Sequence, residues 1–359
     1  MSGFRVLTLQ DADAWRSAWQ QLPVDQRDVF GRAEYYAAFD GLNDAKAECA
    51  VFSSSHGLIL YPYLRQPIHT LTWLELSEPC FDLIGAYGYG ALLGQVGNAG
   101  LLSEFVAAFG EYCRSTGVVA EFVRINPLVS SKEAMAKYYE LTLANVNVVV
   151  DLQRDDDLLW RSYKYNNRKN INKAIRSGVR IIREIVPAKH FGRFLEIYQD
   201  TLNRRGAKAY YRFPIKFYET MHEQMPESVV YFFAEHNGEI ISCELCLKSE
   251  TTIYSFLGGT NERRFEVRSN NLLKHELIRW ARDQGLKYYL IGGGADIDDG
   301  IFEYKRSFAP QGIVDFHIAK KIHDQELYAK LLKRCEYHYP HNTDAARKWF
   351  LRWRYEEAN

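Results

Sequence analysis

The sequence predicts an α/β protein of the α+β mixed-sheet type, built as two tandem domains on one supersecondary plan. Three observations predict it. The chain has 359 residues, more than a single hydrophobic core usually organises. Its apolar share is 47% and its charged share 25%, which is the composition of a globular protein and not of a disordered one. From residue 155 onward the elements run as helices, three antiparallel strands, a helix and a further strand. A weaker form of the same order precedes residue 150.

In the second half two helical segments come first. Residues 155–177 open with an acidic cap and stop at Gly178, with Asn166-Asn167 as the place where the helix would break. Residues 188–205 carry Phe191, Phe194, Leu195, Tyr198 and Leu202 at helical spacing and stop at Gly206. Residues 229–235 are β-rich, Asn237-Gly238 is a hairpin turn, and residues 239–248 form the return strand. Residues 251–258 give a third strand. Residues 270–283 then read as a helix, with Leu272, Leu273, Leu277 and Trp280 on one face and Gly285 past its end. Residues 286–291 form a strand that runs into Gly292-Gly293-Gly294. A helical crossover makes that strand parallel to the third.

In the first half residues 48–53 and 58–63 are strands around His56-Gly57, residues 101–114 a helix, and residues 118–125 a strand ending at Asn126-Pro127. The stretch from Asp82 to Gly90, with three glycines, reads as a loop. The expected domains are 1–150, a degenerate copy, and 151–320, the catalytic copy. Residues 321–359 are expected to be a helical tail packed on the second domain.

Net charge is zero but polarised: residues 154–216 hold 16 Lys/Arg against 6 Asp/Glu, leaving 29 against 39 elsewhere. Such a field can steer an anionic ligand. The six cysteines are scattered, as in a reduced interior. Cys243 and Cys246 have the spacing of half a zinc site, but no second pair follows and strand positions three apart face opposite sides. No metal is expected. The histidines form no Ser/Cys/Asp arrangement, so covalent catalysis is not indicated. No leader and no apolar run long enough to cross a bilayer is read. A cytoplasmic protein is expected, and peripheral contact with a membrane stays open.

This element order is that of the GCN5-related N-acetyltransferase (GNAT) fold. In that fold the loop between the third strand and the next helix holds the coenzyme A pyrophosphate, with a Gln/Arg-x-x-Gly-x-Gly/Ala pattern. Here Arg264 is in place, but Val267 and Ser269 stand at the glycine positions, and a β-branched side chain impedes close phosphate approach. Arg264, Arg268, Ser269 and Asn270 are the candidate donor-binding residues of this loop. Beyond the glycine run, Tyr304, Lys305 and Arg306 place two cations past a buried strand. Arg306 is a phosphate contact on charge alone. Asp296, Asp298 and Asp299 could take a proton from an attacking amine or cap a turn.

Four segments carry a more specific resemblance: Arg168-Lys169-Asn170-Ile171 through Val179; Tyr198 with Arg204-Arg205-Gly206 and Tyr210-Tyr211; Tyr254-Ser255-Phe256-Leu257-Gly258; and residues 300–308. The chain resembles the Fem-type aminoacyltransferases (the FemX/FemAB group), tandem GNAT-like proteins that build peptidoglycan bridges. The match spans most of residues 151–310 and suits the compact FemX form, or a related group found with surface-polysaccharide genes. The resemblance implies amide formation on an amino group of a cell-envelope precursor, with aminoacyl-tRNA as co-substrate and no permanently bound cofactor. It makes Lys305 the catalytic lysine with Tyr304 as its aromatic neighbour, and Asp296 joins them as candidate base. Arg205, Tyr210 and Tyr254 match acceptor-holding positions, with the choice between Arg204 and Arg205 and between Tyr210 and Tyr211 left open. The basic segment from Arg168 to Arg183 is a candidate tRNA contact. Two alternatives remain: an acyl-CoA-dependent N-acyltransferase acting on an amino sugar, and a non-catalytic protein that binds tRNA or a glycan precursor.

Overall fold

The computed structural model describes residues 3–90, 92–128, 132–294, 299–338 and 349–355. Two compact units emerge: residues 145–315, and residues 1–144 joined by 316–359. The strands in chain order are β1 (Gly3–Thr8), β2 (Lys46–Ser54), β3 (Gly57–Pro67), β4 (Phe81–Ile84), β5 (Leu93–Gly94), β6 (Val118–Arg124), β7 (Glu140–Asp151), β8 (Arg180–Ile185), β9 (Val229–His236), β10 (Glu239–Lys248), β11 (Thr252–Thr260), β12 (Tyr288–Gly292) and β13 (Ile313–Ile322). The helices are α1 (Ala12–Gln20), α2 (Ala33–Ala37), α3 (Ala99–Ser115), α4 (Lys132–Met135), α5 (Asp156–Ser162), α6 (Tyr165–Arg176), α7 (Phe191–Arg204), α8 (Ile215–Gln224), α9 (Ser269–Asp283), α10 (Gly300–Arg306) and α11 (Gln325–His338).

The second unit is a mixed sheet in the order β7-β12-β11-β10-β9-β8. Every neighbouring pair with a recorded register is antiparallel except β11 and β12, which run parallel because α9 carries the chain back between them. The β9–β10 hairpin turns on Asn237 (φ 52°) and Gly238 (φ 80°), the positive-φ pair that matches strand twist. One sheet face buries Val230, Phe232 and Ile253 against Ile171 of α6 and Leu272, Leu273 and Leu277 of α9. On the other, Phe194 of α7 packs on Tyr231 of β9 and on Tyr218 of α8.

The break in the first helical segment falls at Tyr163-Lys164, not at Asn166-Asn167. Both residues are extended there (ψ 144°). Arg168 fastens the break by donating to the carbonyls of Arg161 and Tyr163. Asn167 is buried instead, donating to the Ser307 carbonyl at 3.3 Å and accepting from Asn271 at 2.8 Å.

The first unit follows the same plan. Its sheet runs β1-β2-β3-β4-β6-β13, with β5 beside β3, and only β4 and β6 are parallel among these path pairs. Residues 82–84, expected in a loop, belong to strand β4: the loop starts only at Gly85, after Asp82 and Leu83 are buried. Strands β1, β7, β8 and β13 escaped the sequence reading. β1, β8 and β13 are mostly half-exposed or exposed, so their period is blurred, and β7 passes from an exposed first half to a continuous buried run at Val148, Val149 and Val150, which does not alternate.

The tail corrects the sequence expectation. Its described residues pack on the first unit, not the second. Leu331 and Cys335 of α11, with Leu351 and Trp353, join Ile68, Leu74, Cys80 and Val119 in one buried cluster. A charge fixes the attachment. Asp82, fully buried on β4, accepts from Trp353 Nε1 at 2.6 Å and Arg354 Nε at 3.0 Å, while Arg354 also donates to the Pro67 carbonyl at 2.8 Å. Burial raises the Asp82 carboxyl pKa despite the adjacent Arg354. Removing a partner from a buried ion pair costs about 3 kcal/mol or more. Arg354→Ala should therefore lower the free energy of urea unfolding by roughly 3 kcal/mol, and Asp82→Asn in the same background should recover part of it. No loss in the single variant would mean that this contact does not hold the tail.

Candidate active site

The parallel pair β11–β12 is short. It runs from Thr252↔Tyr288 to Tyr254↔Leu290, after which β11 continues to Thr260 paired only with β10. β12 veers to β7 through a bulge between Leu290 and Gly292. Gly292 has φ 84°, and a Cβ on Gly293 would collide with the Val146 carbonyl, so both glycines are needed for the strand to turn away here. The result is a wedge between the two strands, open at their C-terminal ends.

A buried polar cluster closes the base of the wedge. Glu244 of β10 accepts from Lys274 Nζ of α9 at 2.8 and 2.7 Å, and from the Tyr289 hydroxyl of β12 at 2.6 Å. Lys274 also donates to Tyr289 at 3.1 Å and to Ser255 of β11 at 3.4 Å. The side chains of Lys274 and Glu244 are 6% and 3% exposed. Burial opposes ionisation of Glu244, yet Lys274 and the hydroxyls outweigh it and leave the carboxyl pKa lowered. The sequence reading missed these residues. The available signal was an acid inside the apolar run 240–247 and a lysine between Leu273 and Leu277.

Lys305 lies beside this cluster. Residues 300–306, read as a strand-end segment, form the short helix α10, capped by Asp299, whose carboxylate accepts from the Phe302 amide at 2.6 Å. Asp299 thus acts as a cap, the turn reading of that acid. Asp296 and Asp298 lie outside the described residues. Lys305 Nζ donates to the Gly293 carbonyl at 2.6 Å, at the mouth of the wedge. Burial pushes its pKa down to about 8, helped by the Lys274 ammonium and opposed by Glu244 and Asp299. The residue keeps partial solvent access. Tyr304 donates to the Asn270 carbonyl at 3.0 Å, and burial drives its phenol pKa well above normal, so it orients as a neutral donor.

The other expected site residues divide. Ser269 and Asn270 begin α9 beside Tyr304; the Ser269 hydroxyl is 2.7 Å from that of Ser242. Arg268 takes φ 62° at the helix start and is exposed. Arg264 is bound to Glu239 at 3.3 Å, and Val267 is buried. Arg306 pairs with Glu303 at 2.9 Å, which also receives Lys164 at 2.8 Å. Arg204 donates to the Thr260 carbonyl at 3.3 Å, at the open end of β11, with Arg205 exposed beside it. Tyr210 and Tyr211 are exposed on a turn that accepts from Tyr198. Tyr254 is only 1% exposed, so its ring packs in the sheet and does not present itself at a surface. Cys243 and Cys246 are buried apart, one beside Phe194 and the other in the α9-side core.

Helix α6 carries Lys169, Lys173 and Arg176 exposed along one face, with no acid between Tyr165 and Arg176. Trp160, Tyr165, Arg168, Lys169, Asn172 and Arg176 line a groove of about 280 Å³ there. Its start is joined to the site through Asn167, Asn271 and Ser307.

A single-partner deletion in the cluster should be severe. Lys274→Met strands the Glu244 charge, at a cost of about 3–5 kcal/mol. The variant is expected to lose that much in urea unfolding, and Lys274→Met with Glu244→Gln should lose markedly less. Simple additivity of the two would show that they do not interact.

Residues 161–306 match the acetyltransferase (GNAT) domain family. No curated protein matches the sequence. Among solved structures the chain is similar to FemX, with TM-score 0.68 and 13% identity over 91% of this chain and 99% of that one. It is also similar to the C-terminal domain of a putative lysylphosphatidylglycerol synthetase from Agrobacterium fabrum, with TM-score 0.54 and 14% identity over 90% and 94%. A tandem GNAT protein from the clavulanic acid biosynthesis pathway aligns with TM-score 0.51 and 10% identity over 90% and 99%. The Fem-type resemblance read from the sequence is thus borne out in fold, and the second unit is an acyltransferase domain of the GNAT type.

Proposed function

We propose that the second unit transfers an aminoacyl group from aminoacyl-tRNA to an amino group of a cell-envelope precursor, forming an amide. The observation that carries the donor reading is the altered loop before α9. Val267 fills a glycine position, Ser269 is tied to Ser242, and Arg264 is held by Glu239. A pyrophosphate there would meet side chains where backbone approach is needed. The acid-free face of α6 supplies cations for a longer polyanion instead, starting beside α10. In the first unit the gap equivalent to the wedge is bridged by its own chain. Gly90 donates to the Arg124 carbonyl at 2.6 Å and pairs with Ile125, and Tyr89 packs on Phe30. This supports assigning catalysis to the second unit.

In the proposed reaction the neutral acceptor amine attacks the ester carbonyl, a C–N bond forms and the C–O bond to the ribose breaks. The proton lost by nitrogen balances the one gained by the departing ribose oxygen. In this reading Lys305 stabilises the oxyanion and gives that proton, regaining the one lost by the amine, and only its protonated form can do so. With a pKa near 8, Lys305 is mostly protonated at neutral pH and loses the proton as pH rises through 8. The kcat/KM profile should therefore fall above about pH 8. Lys305→Met should lower kcat by roughly 10²–10⁴ and remove that limb, as read by product formation across pH. Full activity in the variant would remove Lys305 from the mechanism.

Donor identity is decided by mass spectrometry of product formed in a cell extract supplied with acceptor. RNase treatment is expected to abolish the product, while removal of coenzyme A leaves it. Release of free coenzyme A stoichiometric with product would replace the tRNA reading by the acyl-CoA one.

A further inference from the structure

A second surface of the same unit has the composition of a lipid-facing patch. Between Arg204 and Lys216 the chain holds five Lys/Arg and no Asp/Glu. Arg205, Lys208, Arg212 and Lys216 are exposed. Among them large apolar side chains also stand in solvent: Ile215 is 50% exposed, Tyr210 44% and Tyr211 38%. Tyr198, Leu202, Phe213, Ile215 and Tyr218, with Arg212, line a groove of about 360 Å³ between α7 and α8. The acids that face it are few. Glu196 pairs with Arg193 at 2.7 Å, Asp200 lies on α7 and Glu219 on α8, and Glu262 stands 3.9 Å from Arg204.

We propose that this face, from the end of α7 to the first turn of α8, docks the second unit on an anionic lipid bilayer. Each ingredient has a separate role there. Tyrosine rings are favoured at the headgroup level, apolar below and polar above. Lysine and arginine next to them are attracted by anionic headgroups, each adding to the partition. Ile215, on the first turn of α8, and the groove behind it offer apolar surface to acyl chains, which a nucleic acid would not use. The patch also adjoins the candidate site, because Arg204 is bonded to the Thr260 carbonyl where β11 ends and the wedge opens. A bilayer held here would present a membrane-borne amine to that opening. The docking itself needs no donor and no turnover, so it stands apart from the reaction proposed above.

The test is co-sedimentation of the purified full chain with vesicles of phosphatidylcholine alone or mixed with phosphatidylglycerol. The chain is expected to sediment with the mixed vesicles and not with phosphatidylcholine alone. Lys208→Ser, Arg212→Ser and Lys216→Ser combined should weaken that partition about a hundredfold. Ile215→Asp should weaken it with the cations intact, and far-UV circular dichroism confirms that each variant is folded. Absence of partition into the mixed vesicles at low salt would overturn the proposal. So would unchanged partition in folded variants. Binding of a single-stranded RNA oligomer that these substitutions abolish, with no vesicle binding, would make the face a nucleic-acid site instead.

Discussion

The buried pairing of Glu244 with Lys274 is the constraint on which the second unit turns. Taking both ions out of water costs several kcal/mol each before any attraction is counted. That cost is met only while β10, β11, α9 and β12 hold their positions, since each contributes one member: Glu244, Ser255, Lys274 and Tyr289. The cluster therefore sets how far β11 and β12 stand apart at the base of the wedge. It also sets the charge felt by Lys305, whose amine is destabilised as a cation by burial and by Lys274. A lysine that would be inertly protonated in water thus sits close to the pH at which it can exchange a proton.

The first unit solves the same topological problem with different chemistry. There Tyr61 of β3 donates to Glu121 of β6 at 2.8 Å, and the second partner is His323, the residue after β13, 3.0 Å from the same carboxylate. The helix contributes Phe109, whose ring packs on Tyr61, where α9 contributes Lys274. So the acid–phenol link between the second antiparallel strand and the parallel strand is present twice, with the roles of the two strands exchanged. Beyond it the paths diverge. One unit leaves its strands apart, and the other stitches them together again at Gly90 and Ile125.

What was legible in the sequence follows from burial and period. The hairpin at Asn237-Gly238, the strands on either side of it and helix α9 repeat their apolar positions without interruption, and they were placed within a residue or two. β8 and β13 were invisible because their side chains are nearly all half-exposed or exposed, Ala319 being the one buried exception, which is not a core pattern. At the site, Lys305 stood out by its position after the glycine run. Glu244 and Lys274 did not, because a charged residue within an apolar run looks like noise until its partner from a distant element is known. Tyr254, which the Fem-type resemblance offers as an acceptor contact, is buried by the sheet, a fact that its match in the sequence does not carry.

The order in which strands enter the two sheets has a consequence for how this chain is made. All strands of the second unit, β7 to β12, are contiguous in sequence, whereas the first unit lacks β13, the aromatic anchor Trp353 and the counter-ion of Asp82 until residues past Phe316 exist. During synthesis the N-terminal half must wait with an open sheet edge and an unneutralised interior carboxylate, while the half made after it can already close. Vectorial growth and structural completion therefore run in opposite directions across these two units, and the one whose synthesis starts earlier is completed later.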